Sequence, residues 1–138
     1  MARDVDALIG FLADRSGMPF RWGRGRNDCV AFSAKAAKVQ TGIDPLGDLQ
    51  WKSRREARAL MKRLGGLEKA VDDRLPRIAP AMAMRGDIAG VEDPELGIRL
   101  MVVEGATLAG PGARGLERLP RAMMVAAWSI DPEAQSDG

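Results

Sequence analysis

The chain has 138 residues, 46% of them hydrophobic and 29% charged, which is ordinary usage for one globular domain. Its net charge of +2 is too small to indicate nucleic-acid or membrane-surface binding. One cysteine excludes an internal disulfide, and the lack of histidine argues against a transition-metal site. No apolar run is long enough to span a bilayer, and the first residues lack a signal-peptide pattern. We therefore expect one domain over residues 1–138, with no cofactor, metal, nucleic-acid partner or membrane span.

Four helices are predicted in the first half of the chain. Apolar residues at helical spacing predict the first helix. Asn27 or Asp28 can cap the second, and Gly42 supplies its stop. Ser53 and Glu56 form a capping box at the start of the third. The predicted helices cover residues 4–15, 29–40, 53–64 and 67–75.

Short strands follow the helices in the second half. After Pro80, apolar segments are separated by glycine and proline, a pattern typical of strands joined by turns. Helices first and strands second predict an α+β fold, with the N-terminal helices packed on a small antiparallel sheet. Residues 131–138 are polar, and we expect a frayed tail there. The predicted strands cover residues 87–91, 98–103, 116–119 and 123–130.

The residue types that carry chemistry gather around Cys29. Its thiol lies in the first turn of the second predicted helix, where free N–H groups and the positive end of the helix dipole favour thiolate. Arg21, Arg24 and Arg26 would add to this effect, and Asp28 would oppose it. The alternative is that Cys29 is an inert, buried small hydrophobe. The spacing alone leaves both interpretations open.

A resemblance adds to this interpretation, and it rests on five segments that occur in a fixed order. The first two are Phe20-Arg21-Trp22-Gly23 and the segment from Asn27 to Phe32 around the cysteine. The series resembles small phage and prophage tail proteins that are similar to NlpC-type papain-fold cysteine peptidases. The match is good over residues 19–91 and loose over 98–130. The remaining segments are residues 41–45, 64–67 and 83–88.

The resemblance implies a papain-like fold and a role for each site residue. In NlpC-type enzymes a cysteine at a helix N-terminus attacks a peptidoglycan amide, and a histidine after a Gly-Asp strand is the base. By this correspondence Cys29 takes the nucleophile position, and Glu95 takes the histidine position to within one residue. Trp22 and Asp28 are the candidate substrate-binding residues.

The missing histidine predicts a degenerate site. An ionised Glu95 cannot protonate a departing amine, and losing the histidine of a serine protease costs on the order of a millionfold in turnover. We therefore expect a tail-tip structural component, made in the host cytoplasm and located in the virion tail, with other tail-tip proteins as partners. One alternative is a peptidoglycan amidase or endopeptidase using Cys29 with a non-histidine base. Another is a binder of peptidoglycan peptide that keeps the groove without the chemistry.

Two further groups of residues have both a structural and a functional interpretation. The three tryptophans, Trp22, Trp51 and Trp128, can line a sugar or peptide groove, or they can anchor the core or a subunit contact, and we favour the second interpretation. The basic residues of the third helix can contact nucleic acid or an acidic partner, or they can form a solvated face, and we favour the solvated face. These basic residues are Arg54, Arg55, Arg58, Lys62 and Arg63.

Overall fold

The computed structural model describes residues 3–131, so the predicted frayed tail lies, apart from Asp131, outside the described residues. Within this range the chain is α+β, with four helices followed by six strands and two short 3-10 helices at 80–82 and 121–123. None of these helices has the length and apolar character needed to cross a membrane. The elements are α1 (Val5–Arg15), α2 (Cys29–Thr41), α3 (Arg54–Leu64), α4 (Leu67–Asp72), β1 (Arg77–Ile78), β2 (Ile88–Asp93), β3 (Gly97–Val103), β4 (Thr107–Gly112), β5 (Gly115–Pro120) and β6 (Met124–Trp128).

The helix boundaries follow the capping residues of the sequence. Asp28 precedes α2, and its Oδ1 accepts a hydrogen bond of 2.8 Å from the Ala31 N–H. Ser53 caps α3 in the same way, with its Oγ 3.2 Å from the N–H of Glu56. Gly42 ends α2 in the left-handed conformation at φ +83°, which glycine adopts without steric cost. The predicted starts of α2 and α3 and the stop of α2 are therefore confirmed.

All six strands belong to one antiparallel sheet, in the order β1-β6-β2-β3-β4-β5. The central pair is the β2–β3 hairpin, whose register runs without interruption from Ile88↔Val102 to Asp93↔Gly97. This finding confirms the predicted α+β class with helices on an antiparallel sheet.

The pairing of β3 with β4 is short. It is limited to Val102 and Val103 on β3, and it stops before Pro111, which has no N–H to donate. The loop before α2 lies against the end of β4 that does not pair with β3, where the Phe20 N–H donates to the carbonyl of Gly112 over 2.8 Å. The candidate site lies at this opening between the two strands.

Side chains are buried on both faces of the sheet. On the helical side, Trp51 and Trp128 are at most 2% exposed and pack in one cluster with Leu100 of β3. On the opposite side, Met101 and Leu108 belong to a second buried cluster. Trp51 and Trp128 therefore anchor the core, as the favoured interpretation of the tryptophans predicted.

Candidate functional site

The loop that leads into α2 is fixed by hydrogen bonds at Asn27. Arg21 and Asn27 exchange two backbone hydrogen bonds of 3.2 and 3.1 Å. The buried Asn27 side chain donates to the carbonyls of Met18 and Pro19, over 3.2 and 3.1 Å. Its Oδ1 accepts from the Arg15 guanidinium over 2.8 Å. With donor and acceptor both used, Asn27 fixes the position from which the cysteine helix starts.

Asp28 is fully buried and holds three parts of the chain together. Besides capping α2 at Ala31, its carboxylate accepts from the Gly23 N–H over 2.9 Å. It also accepts from the Trp51 indole N–H over 2.7 Å. Asp28 is 0% exposed, so its surface is closed to a substrate. In the structure this candidate substrate-binding residue positions the cysteine helix.

Cys29 is the first residue of α2, and its thiol is buried. Only 4% of the residue is exposed, and the structure raises the pKa of the thiol to about 12. Burial is the main cause, because removal from water disfavours the charged thiolate. A backbone hydrogen bond with Leu100 and the charge of Arg99 act in the opposite direction, while the Asp28 carboxylate adds to the increase.

Of the two interpretations of Cys29, the raised pKa and the burial of the thiol favour the inert, buried cysteine over the thiolate. The predicted opposing effect of Asp28 is present, but the cation that acts on the thiol is Arg99, and none of the three upstream arginines is among the causes. Arg24 instead forms an ion pair with Asp44. Burial is the largest cause of the shift, and a pKa of about 12 leaves on the order of one thiol in 100,000 ionised at pH 7.

Three of the four candidate residues line one cavity of about 170 Å³, here called the Cys29 cavity. Trp22 is half-buried at its wall, with its ring edge-on to Phe20 at a centroid distance of 5.0 Å. The volume is below the roughly 300 Å³ at which small-molecule sites begin. The lining includes Phe20, Trp22, Cys29, Asp93, Glu95, Arg99, Leu100 and Pro111.

Glu95 lies in the β2–β3 turn with its carboxylate at the protein surface. Its side chain is 34% exposed, and its Oε1 accepts from the Arg54 Nε over 2.5 Å. The Asp93 carboxylate shapes the turn by accepting from the N–H groups of Glu95 and Leu96. Within residues 3–131, no hydrogen bond joins Glu95 to Cys29. The structure thus brings the two candidates to one cavity, with Glu95 bound to α3.

Sequence reasoning missed Arg99 and assigned no role to Asp93. Arg99 lines the cavity and donates to Glu117 Oε1 on β5 over 2.8 Å. One available signal was the presence of this charge within the otherwise apolar strand Ile98–Val103. The signal for Asp93 was its place before Pro94, a turn pattern.

The cavity can hold a small group, and it provides no acid–base pair. The part of the chain that the structure describes contains no group of three cysteine or carboxylate side chains able to hold a metal ion. The cysteine is protonated, and the two carboxylates that line the cavity, Asp93 and Glu95, both accept hydrogen bonds from N–H donors. An acyl transfer would need both a thiolate and a proton donor.

Comparison with known families places the whole of this site in one domain. The family model described as "Domain of unknown function (DUF6950)" matches residues 3–130. The chain belongs to this family. The DUF6950 match covers the loop before Cys29, all four helices and all six strands, so every residue of the Cys29 cavity lies inside the family's domain. No curated protein matches the chain.

Proposed function

We propose that the chain is a tail-tip structural component of a phage or prophage, with a papain-like, NlpC-type fold and a cysteine site that no longer catalyses. The ordered series of motifs supports the relationship. The position of Cys29 also supports it, in the first turn of a helix that packs on the central strand β3. The Gly86-Asp87 segment, which the resemblance matches to the Gly-Asp strand of the family, directly precedes β2, and this position supports the proposal.

One observation carries the loss of catalysis: the pKa of the Cys29 thiol is raised to about 12 in a chain without histidine. A cysteine hydrolase needs a thiolate at working pH and an acid for the leaving amine. The thiol is protonated at neutral pH, and Glu95 is held by Arg54. The fold then serves as a scaffold, with neighbouring tail-tip proteins as its partners and the virion tail as its location.

Genetic complementation tests both the structural role and the loss of catalysis. In a phage that encodes the chain, the gene is deleted and then supplied as wild type or as Cys29→Ala, and tails and infectious particles are counted. We expect the deletion to abolish normal tails and both versions to restore infectivity to a similar level. A folded Cys29→Ala variant that fails to restore infectivity would contradict the degenerate site. Normal tails in the deletion strain would contradict the structural role.

A second candidate function is a peptidoglycan amidase or endopeptidase, favoured by the shared cavity of Cys29 and Glu95. It requires Glu95 to leave Arg54 and act as base toward a thiol whose proton is strongly held. Purified peptidoglycan is digested with wild type, Cys29→Ala and Glu95→Gln, with an active NlpC-type peptidase as positive control. Fragments produced by wild type, but by neither variant, would establish the enzyme over the scaffold.

A further inference from the structure

A second cleft lies beside α2, between α1, the loop before α2 and the loop after it. Its volume is about 370 Å³, and we call it the basic cleft. Five cationic side chains line it against one carboxylate, Asp44, which gives a local charge of +4. The whole chain has a net charge of only +2, so the positive charge is concentrated at this surface. The cations are Arg15, Arg24, Arg26, Lys35 and Lys38.

Two of these cations are held in place by the surrounding structure. The Arg15 guanidinium donates to Asn27 Oδ1 and lies 4.8 Å from the centroid of the Phe11 ring. Arg24 forms an ion pair with Asp44 and lies 5.5 Å from the Trp51 ring. A guanidinium with a fixed direction loses less conformational freedom when it binds an anion. These two arginines form the ordered wall of the basic cleft.

The other three cations form no ion pair with any acidic residue that the structure describes. Arg26, Lys35 and Lys38 are exposed, and over residues 3–131 none of them forms an ion pair. Like charges close together repel one another and lower the stability of the folded state. A bound anion would remove this cost, so the basic cleft is suited to a ligand with several negative charges.

The lining favours carboxylates over nucleotides or an isolated phosphate. Among the residues that the structure describes, no aromatic side chain lines the basic cleft, so bases of a nucleic acid would have nothing to stack on there. Phosphate sites often use free N–H groups at a helix N-terminus. In the first turn of α2, Ala31 is the residue that lines the cleft. Its N–H is not free for a phosphate, because it already donates to Asp28. Arginine and lysine side chains form charge-assisted hydrogen bonds with carboxylates and need no helix N–H groups to do so.

We propose that the basic cleft docks an acidic segment of a partner protein, in which neighbouring Asp or Glu carboxylates meet Arg26, Lys35 and Lys38. This proposal does not depend on the state of Cys29, because the two sites share no lining residue. The basic cleft is also a different surface from the basic face of α3, for which the sequence analysis considered a partner-binding role.

The test uses the full chain and a fluorescent Glu-rich peptide, with a Gln-rich peptide of equal length as control. We expect the Glu-rich peptide to bind at low salt and its affinity to fall as salt is added. The Gln-rich peptide should not bind. Charge reversal of Lys35→Glu with Lys38→Glu should weaken binding by at least about tenfold. The matched control is Arg58→Glu with Lys62→Glu on α3, which makes the same change in net charge and should alter affinity less than about twofold.

Three outcomes would overturn the proposal. Equal weakening by the two double variants would show that only net charge matters. Tighter binding of a single-stranded oligonucleotide than of the Glu-rich peptide would assign the basic cleft to nucleic acid. Tighter binding of inorganic pyrophosphate than of the peptide would assign it to a small phosphate ligand. Circular dichroism of both double variants checks that they are folded.

Discussion

At the scale of single residues, the buried carboxylate of Asp28 determines where the cysteine lies. It joins the helix cap, the loop at Gly23 and the core tryptophan Trp51 through three hydrogen bonds of 2.7 to 2.9 Å. Because all three donors are shielded from water, each would lose its partner without a substitute if the carboxylate were removed. The position of Cys29 is thus a consequence of Asp28.

We predict that Asp28→Ala lowers the free energy of unfolding by roughly 3 kcal/mol or more. The estimate combines a lost helix cap of about 1 kcal/mol with two further buried donors at about 1 kcal/mol or more each. Urea denaturation measures the change. The control is Asp48→Ala, since this side chain is 61% exposed and its ion pair with Arg74 is worth less than about 1 kcal/mol. Equal losses in the two variants would refute the role given to Asp28.

At the scale of elements, α2 is locked to the sheet where Gln40 meets Gly86. The Gln40 amide donates to the carbonyls of Ala36 and Gly86, over 3.0 and 3.2 Å. Gly86 has φ +95°, and a Cβ added there would lie 2.0 Å from Gln40 Oε1. The backbone before β2 therefore approaches α2 more closely than any other residue type allows.

We predict that Gly86→Ala lowers the free energy of unfolding by roughly 2 kcal/mol or more, because the methyl group displaces Gln40 and the positive φ becomes strained. The control is Gly25→Ala, where a Cβ meets nothing within 4 Å and φ is not positive. For this control variant, the free energy of unfolding should change by no more than about 1 kcal/mol in either direction. Thermal and urea unfolding of both variants measure it, and a neutral Gly86→Ala would contradict the close packing of α2 on the sheet.

The helices could be predicted from the sequence more completely than the sheet. Each helix has a local signal, such as the Ser53 cap or the Gly42 stop, and these signals depend on neighbouring residues only. Two strands were missed. β1 is two residues long, and β4 contains Gly110-Pro111-Gly112, which has the composition of a turn. β4 is a strand because it pairs with β5 along its whole length, a nonlocal interaction that composition does not reveal.

At the scale of the whole molecule, the fold brings together residues that are far apart in sequence. This happens at the candidate site and also where the two ends of the described chain meet. Cys29 and Arg99 are far apart in sequence, and the burial that sets the thiol pKa arises only when α2 packs on β3. For this reason the sequence pointed to Cys29 but left its ionisation open, because the local signals around it do not include the burial that raises the pKa. Arg3 and the Ile130 N–H both donate to the buried Asp87 carboxylate, over 2.6 and 3.2 Å, so both ends of the described chain meet at the residue that precedes β2.

The pH dependence of Cys29 alkylation tests the loss of catalysis most directly. The alkylation rate follows the thiolate fraction, and the folded pKa of about 12 lies above the ordinary value of 9.0. In native protein we expect the rate to rise about tenfold per pH unit from pH 7 to 10 without levelling off. In urea-unfolded protein, the internal control, it should level off near pH 9. A native rate that is high and constant below pH 8 would show a reactive thiolate and contradict a degenerate site.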